Sequence, residues 1–399
     1  MEALAGLFAG LSREPDFEAP ELQAYDAADE LILETAAASV READPGELVV
    51  IGDRHGALTL GAAAVLGARG IRVHQDPLLG QRALARNAER VFPPADPALP
   101  SAAAAEAEDR NLYTSHPLDE SLLRGARTVL LQLPRGLEAL DEIAWSIARW
   151  ADLAVRVFAG GRVKHMTRTQ NEVLGRYFGE VSAGLGRRKA RVLTASGPGE
   201  PGPAPFPRWG EDPALPFRVA AYGATFGGPT LDHGSRLLLE GLGDAGGGRT
   251  APAAAPSRIV DLGCGNGVLA VSAALRWPGA AVIATDQSAA AVAATRLTAG
   301  GAGVEDRIAI HRADALEAVE DEWADLILLN PPFHTGSTVH TGVAHRLIRA
   351  CRRALAPAGE LRLVFNSHLR YRPLVEREIG PVREIARNRT FTVLAATRR

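Results

Sequence analysis

Asn330-Pro331-Pro332-Phe333 directly follows an apolar, β-branched run, Leu326-Ile-Leu-Leu329. On such a turn the Asn330 side-chain oxygen and the Pro331 backbone carbonyl are two fixed acceptors. That suits a planar exocyclic nitrogen, a weak nucleophile because its lone pair is delocalised. One acceptor for each N–H favours a pyramidal nitrogen and stabilises the positive charge it develops as it reacts. The prolines hold the turn rigid, and Phe333 offers a ring face for stacking a flipped base. Upstream, Asp261-Leu-Gly263-Cys-Gly265-Asn266-Gly267 stands between a strand-like run and a helical stretch. Glycines there let the backbone turn tightly and approach a ligand closely. The acid ahead of them would repel a pyrophosphate but accept from an ammonium, which sets this spacing apart from G-x-G-x-x-G. Asp286, with Gln287 beside it, ends the next strand, where a carboxylate can take both hydroxyls of a ribose. Asp314, after the strand that follows, can accept from an adenine amino group or cap a helix.

Other chemically capable residues carry less. His334, His340 and His345 follow the turn at spacings of six and five, which are not metal-ligand spacings on a helix face; His334 is a candidate for the base pocket. Cys264 reads as a small filler in the glycine loop. With Cys351 it makes up the whole cysteine complement, too few for a disulfide framework or a multi-Cys zinc site. Formal charge is −3 overall but uneven: residues 1–120 carry −12, 121–200 carry +6, 201–339 carry −6 and 340–399 carry +9. Lys164 and Arg168, with Arg187, Arg188 and Lys189, are candidate phosphate contacts of the basic segment; solvated helix ends are the plain alternative.

These residues need a scaffold that brings strand ends together. Short strand-like runs (48–51, 71–73, 128–131, 258–260, 281–283, 326–329) alternate with Ala/Leu-rich helical stretches, the pattern of parallel α/β sheets. The chain has 399 residues, enough for two such domains. A Pro/Gly-rich stretch suggests a division into residues 1–195, a linker at 196–217, and 218–399; 243–257 reads as a loop within the second domain. The halves also resemble each other. Leu48-Val-Val-Ile-Gly52-Asp-Arg54-His-Gly56 lies over Ile259-Val-Asp261-Leu-Gly263-Cys-Gly265-Asn-Gly267 without a gap. Val73-His-Gln-Asp76 lies over Ile283-Ala-Thr-Asp286, and Leu130-Leu-Gln132-Leu-Pro134 over Leu328-Leu-Asn330-Pro-Pro332. Three collinear matches point to a duplication. The first copy has Val50 for Asp261, Arg54 for Gly265 and Gln132-Leu133 for Asn330-Pro331.

The Asn-Pro-Pro-Phe turn matches the [DNS]-P-P-[YFW] signature of S-adenosylmethionine-dependent methyltransferases acting on planar nitrogen. With the glycine loop and Asp286 upstream, the second half resembles class I methyltransferases. The whole chain resembles the ribosomal RNA guanine-N2 methyltransferases built from two tandem methyltransferase-like domains. Further matching residues are Thr225-Phe226, Leu231-Asp232-His-Gly234-Ser235-Arg236, and Gly359 to Tyr371. The resemblance implies two Rossmann-like, doubly wound domains, the first degenerate and supporting RNA binding or folding. It implies S-adenosylmethionine held by Asp261, Gly263, Gly265, Asn266, Gly267, Asp286, Gln287, Asp314 and Phe226, and catalysis by residues 330–333. A cytoplasmic monomer acting on ribosomal RNA, naked or in a subunit, without metal or membrane, is expected. No apolar run reaches the roughly 18 residues of a membrane span. Two alternatives stand beside this: a protein glutamine methyltransferase, which uses a similar turn but carries a small helical domain first, and a catalytically silent RNA-binding or assembly factor.

Overall fold

A computed structural model describes residues 2–93, 112–243, 255–332 and 341–399. It divides into two compact units, Met1–Phe206 and Pro207–Arg399. The strands of unit 1 are β1 (Leu48–Ile51), β2 (Ile71–His74), β3 (Tyr113–Ser115), β4 (Thr128–Gln132), β5 (Arg156–Arg162), β6 (Phe178–Ala183) and β7 (Ala190–Pro198). Those of unit 2 are β8 (Arg208–Gly210), β9 (Val219–Ala221), β10 (Arg258–Leu262), β11 (Ala281–Asp286), β12 (Ile308–Arg312), β13 (Ala324–Leu329), β14 (Leu355–Asn366), β15 (Val382–Arg387) and β16 (Phe391–Thr397). Every strand-like run read from the sequence is a strand, extended by one to three residues where the hydrogen-bonded ladder outruns the apolar run.

The two large sheets have the same order. Unit 1 runs β3-β2-β1-β4-β5-β7-β6 and unit 2 runs β12-β11-β10-β13-β14-β16-β15. In each, the first five are parallel and the sixth in space is antiparallel to its neighbours. Crossovers through helices place the reversal of strand order between β1 and β4, and between β10 and β13. The carboxyl ends there diverge and leave a crevice. β1, β4, β10 and β13 are buried along nearly their whole length, as central strands of a parallel sheet covered by helices are.

The glycine loops confirm the duplication at the level of torsions. Gly263, Gly265 and Gly267 have φ of 78°, 56° and 82°; Gly52, Arg54 and Gly56 have 76°, 47° and 102°. Unit 1 thus keeps a left-handed residue where its side chain is no longer a hydrogen atom, a conformation that strains an arginine. The third glycine is kept for packing: a methyl group at Gly267 would meet Thr295 at 2.9 Å, and one at Gly56 would meet Leu84 at 2.8 Å.

The boundary between the two units falls inside the stretch expected as linker, of which residues 196–198 and 208–210 are in strands. Residues 196–198 complete β7, which lies inside the sheet between β5 and β6: Ser196 pairs with Arg156 on one side and Glu180 on the other, and Pro198 pairs with Phe178 of β6. Residues 208–210 form β8, paired antiparallel with β9. That ribbon is fastened to helix Ala289–Gly301 by the Ala220 N–H donating to Thr298 Oγ1 at 3.0 Å. Of the loop expected over 243–257, residues 244–254 lie outside the described residues, as do Phe333, His334 and His340. Among the described residues no helix is long and apolar enough to cross a membrane.

Candidate active site

Leu262 pairs with Leu329 across β10 and β13, so Gly263 and Asn330 leave the sheet side by side at the crevice. Asn330 is oriented from the other side. Its Nδ2 donates to Ser235 Oγ at 3.0 Å and lies 3.3 Å from both carboxylate oxygens of Asp232. Asp232 is the N-cap of helix His233–Glu240 and accepts from the Gly234 and Ser235 amides. Gly234 leaves room for the amide: a methyl group there would sit 3.3 Å from Asn330 Nδ2 and Oδ1. With Nδ2 spent on acceptors, Asn330 Oδ1 is left buried with no hydrogen-bond partner among the described residues. An unpaired buried acceptor is costly unless something donates to it. The side chain is thus turned so that its oxygen can receive an N–H.

The far end of the same helix is held too. Gly241 O accepts from Arg362 Nη1 at 2.6 Å. Arg362, on β14, is fully buried and ion-paired to Glu360, which also binds Arg383 at 2.7 Å. Burial lowers the Arg362 pKa while Glu360 opposes that shift.

At the glycine loop, a methyl group on Gly263 or Gly265 would meet nothing within 4 Å. The open side of this backbone is where a flat ligand can lie against it. Asp286 holds the loop from below, Oδ2 accepting from Gly265 N at 3.0 Å and Oδ1 from Ser288 N at 2.9 Å. Asp261 is 1 % exposed. Its Oδ2 accepts from Ala270 N at 2.9 Å, whereas Oδ1 has no hydrogen-bond partner among the described residues. Burial, reinforced by the Asp286 charge, pushes its carboxyl up to about 7. Gln287 Oε1 and Thr285 Oγ1 are also buried without hydrogen-bond partners among the described residues. Asp314 does not cap a helix; its Oδ2 pairs with Arg346 at 2.8 Å, from helix Thr341–Ala354. Asn266 spends its amide hydrogens on the carbonyls of Gly228 and Thr230, both 2.9 Å away, and its Oδ1 takes the Val268 N–H. It therefore clips the segment containing Phe226 to the glycine loop. Phe226 itself is 67 % exposed, an apolar ring beside the crevice. Cys264 is buried and receives the Thr295 hydroxyl, and burial raises its thiol far above any reactive range. His345 meets Tyr371 edge-on at 5.6 Å.

The open glycine backbone and the orphaned polar atoms around it fit S-adenosylmethionine. The backbone of 263–267 and the Phe226 ring can receive the flat groups, Asp286 the ribose hydroxyls, Asp314 the adenine amine, and Asp261 Oδ1 the ammonium. When bound, that cofactor supplies an electrophilic methyl on a sulfonium.

Comparison with known proteins agrees. The Methyltransferase small domain family matches residues 217–395, and the RLMG N-terminal domain matches residues 3–198. Ribosomal RNA large subunit methyltransferase G of Shewanella amazonensis is 32 % identical over 398 residues, covering 97 % of this chain and 96 % of that one. The protein of that name from Pseudomonas entomophila is 32 % identical over 395 residues, with the same coverage. The chain belongs to the ribosomal RNA large subunit methyltransferase G family. It is an S-adenosylmethionine-dependent methyltransferase. The fold of the family extends further: the 16S rRNA N2 methyltransferase RsmC of T. thermophilus, solved with AdoMet and guanosine, superimposes with a TM-score of 0.73 over 98 % of this chain and 100 % of that one, at 20 % identity.

Unit 1 holds a modified echo of this site. Gln132, at the position of Asn330, donates through Nε2 to Asp29, which lies in the first turn of helix Ala27–Glu42. In both units an amide at the end of the fourth strand of the large sheet thus meets a carboxylate at the start of the helix that precedes the first. The carboxylate under the glycine loop has moved, however. Asp53, at the position of Cys264, accepts from Leu58 N and Thr59 N, the second being the counterpart of Ala270 N. Over Gly52 the crevice is narrower, since a methyl group there would sit 3.3 Å from Gln132 O. The candidate RNA contacts fall partly on a hairpin and partly at a helix end. Arg187, Arg188 and Lys189 form a hairpin tip between β6 and β7, with Arg187 paired to Glu34 at 3.2 Å and Arg188 to Glu30. Lys164 lies in a 3-10 turn after β5, and Arg168 opens helix Arg168–Gly175.

Proposed function

We propose that the chain transfers a methyl group from S-adenosylmethionine to the exocyclic N2 of a guanine in large-subunit ribosomal RNA, with unit 2 catalytic and unit 1 contacting RNA. The observation that carries this reading is the orientation of Asn330: Nδ2 held by Asp232 and Ser235, Oδ1 buried and unpartnered. In the site so built, Asn330 Oδ1 and the Pro331 carbonyl each accept one N–H of the amino group. That draws the nitrogen toward a pyramidal geometry and stabilises its growing positive charge. Phe333 stacks the base, Asp286 and the glycine loop orient the methyl donor, and positioning rather than covalent assistance lowers the barrier. One amino proton leaves to solvent after transfer. The names of the relatives support large-subunit RNA as substrate, and guanosine in the RsmC structure supports a guanine. Ribosomal RNA as substrate also favours a cytoplasmic site of action.

A protein glutamine methyltransferase is the competing reading. Against it stands unit 1, a full α/β copy rather than a small helical domain. The test is incubation with labelled cofactor and, in parallel, naked large-subunit RNA, assembled large subunits, small-subunit RNA and a release factor. N2-methylguanosine in digests of either large-subunit substrate is expected. Label confined to the protein, or to small-subunit RNA, would refute the reading.

A further inference from the structure

At two positions where the sequence of the catalytic copy has Gly265 and Phe333, unit 1 carries guanidinium groups. Arg54 replaces Gly265, and Arg135 follows Pro134 as Phe333 follows Pro332. A third arginine, Arg162, ends β5. β1, β4 and β5 are parallel neighbours, with Ile51 paired to Leu131 and Gln132 to Gly160. All three arginines therefore emerge at the same end of the sheet, across the strand-order reversal where this fold binds ligands.

Acidic charge meets one of them: Arg54 lies 3.6 Å from Asp26 and also feels the charge of Asp29, and its side chain is 53 % exposed. Arg135 is exposed and, like Arg162, forms no ion pair among the described residues; Arg162 Nε is buried without a hydrogen-bond partner among them. The crowding of charge is felt by His165 in the adjoining turn. Slight burial and then the charges of Arg135, Lys164, Arg162 and Arg54 lower its pKa. Three clustered guanidiniums, one on a left-handed backbone, are unfavourable alone and favourable around an anion. Because the Gln132 backbone crowds the space over Gly52, a nucleoside has no open glycine face to lie on. The exposed arginines instead suit a phosphate approaching from outside.

We propose that the vestigial crevice of unit 1 is a phosphate site in which Arg54, Arg135 and Arg162 hold a phosphodiester of the RNA. The site rests on the RNA substrate proposed above. It accounts for the loss of the cofactor glycine as an exchange of ligand, from a neutral-faced adenosine to a phosphate.

The test uses the full chain and its R54G, R135A and R54G/R135A variants, with R162A as a third position. R54G returns glycine to a left-handed position, so lost binding without a lower melting temperature is not unfolding. Large-subunit RNA binding is measured against salt. The double variant should bind at least roughly tenfold more weakly and lose about 0.7 from the slope of log K against log salt, the share of one neutralised phosphate on a single strand. Affinity for S-adenosylhomocysteine should stay unchanged. Unaltered RNA affinity and slope in both R54G/R135A and R162A would overturn the site while leaving the substrate reading intact. Wild-type protein that binds no ribosomal RNA would sink both. Pyrophosphate and ADP form the second arm: binding of either that the variants abolish, with RNA affinity retained, would make a free nucleotide phosphate the occupant and overturn the RNA assignment.

Discussion

The amide nitrogen of Asn330 is held 3.3 Å from both carboxylate oxygens of Asp232, 98 residues earlier in the chain. This contact decides which way the amide faces, because the reverse orientation would set a carbonyl oxygen against a carboxylate. Asp232→Ala should lower turnover by roughly 10–100-fold, the worth of a hydrogen bond to a charged group expressed as a barrier. The lost N-cap should cost about 1 kcal/mol of stability. S-adenosylhomocysteine binding should hardly change. Unchanged turnover at saturating RNA would show that Ser235 alone orients the amide.

Removing the acceptor itself should cost more. Asn330→Ala is expected to lose roughly 10²–10³ in turnover, as when one oriented transition-state partner is deleted. Single-turnover methylation measures it, with calorimetry as control for cofactor affinity. Near-normal rates would place the nitrogen elsewhere.

Asp286 supports the glycine loop through Gly265 N as well as facing the proposed ribose position. Asp286→Ala should therefore weaken S-adenosylhomocysteine at least roughly tenfold, from loss of charged hydrogen bonds and of loop order together. An unaltered dissociation constant would exclude Asp286 as the ribose anchor.

The Asp261 carboxyl, pushed by burial up to about 7, gives a pH test. A ligand ammonium needs the ionised form, whereas the ligand-free protein holds the proton below that pH. Affinity for S-adenosylhomocysteine should then rise with pH by up to about tenfold per unit below 7 and level off above it. In Asp261→Asn the slope should vanish. A flat profile for the wild type would reduce Asp261 to a cap on Ala270 N.

Titration of the full chain should give one cofactor per chain. Unit 1 has Val50 and Arg54 where unit 2 has Asp261 and Gly265, and its crevice is closed over Gly52 by Gln132. A stoichiometry of two would contradict this.

Much of this architecture could be read from residue spacing. The glycine loop, Asp286 and the Asn330 turn are local patterns, each a few residues long at a strand end, and alternating apolar runs located both sheets. Partners across the fold were beyond such a reading. Asp232 shows only as a matching residue, because nothing local says that its carboxylate meets an amide on β13's far end. Arg362 shows only within the matching stretch 359–371, and its burial is set by the fold. Within 196–217, strands 196–198 and 208–210 were beyond a reading from Pro and Gly content, which reports local propensity, whereas β7 is paired with β5 and β6 and β8 with β9.

Helix His233–Glu240, clamped to Asn330 at its start and to buried Arg362 just past its end, behaves as a gear of fixed tooth count. Each added residue would rotate one end against the other by about 100° and advance it about 1.5 Å. A single insertion would swing Asp232 off the amide. Four would bring it nearly back into phase but displaced by about 6 Å, past hydrogen-bond reach. Segment length is consequently under tighter constraint here than residue identity: exposed positions such as His233 and Glu240 can vary freely, while no insertion or deletion can be absorbed between the two clamps.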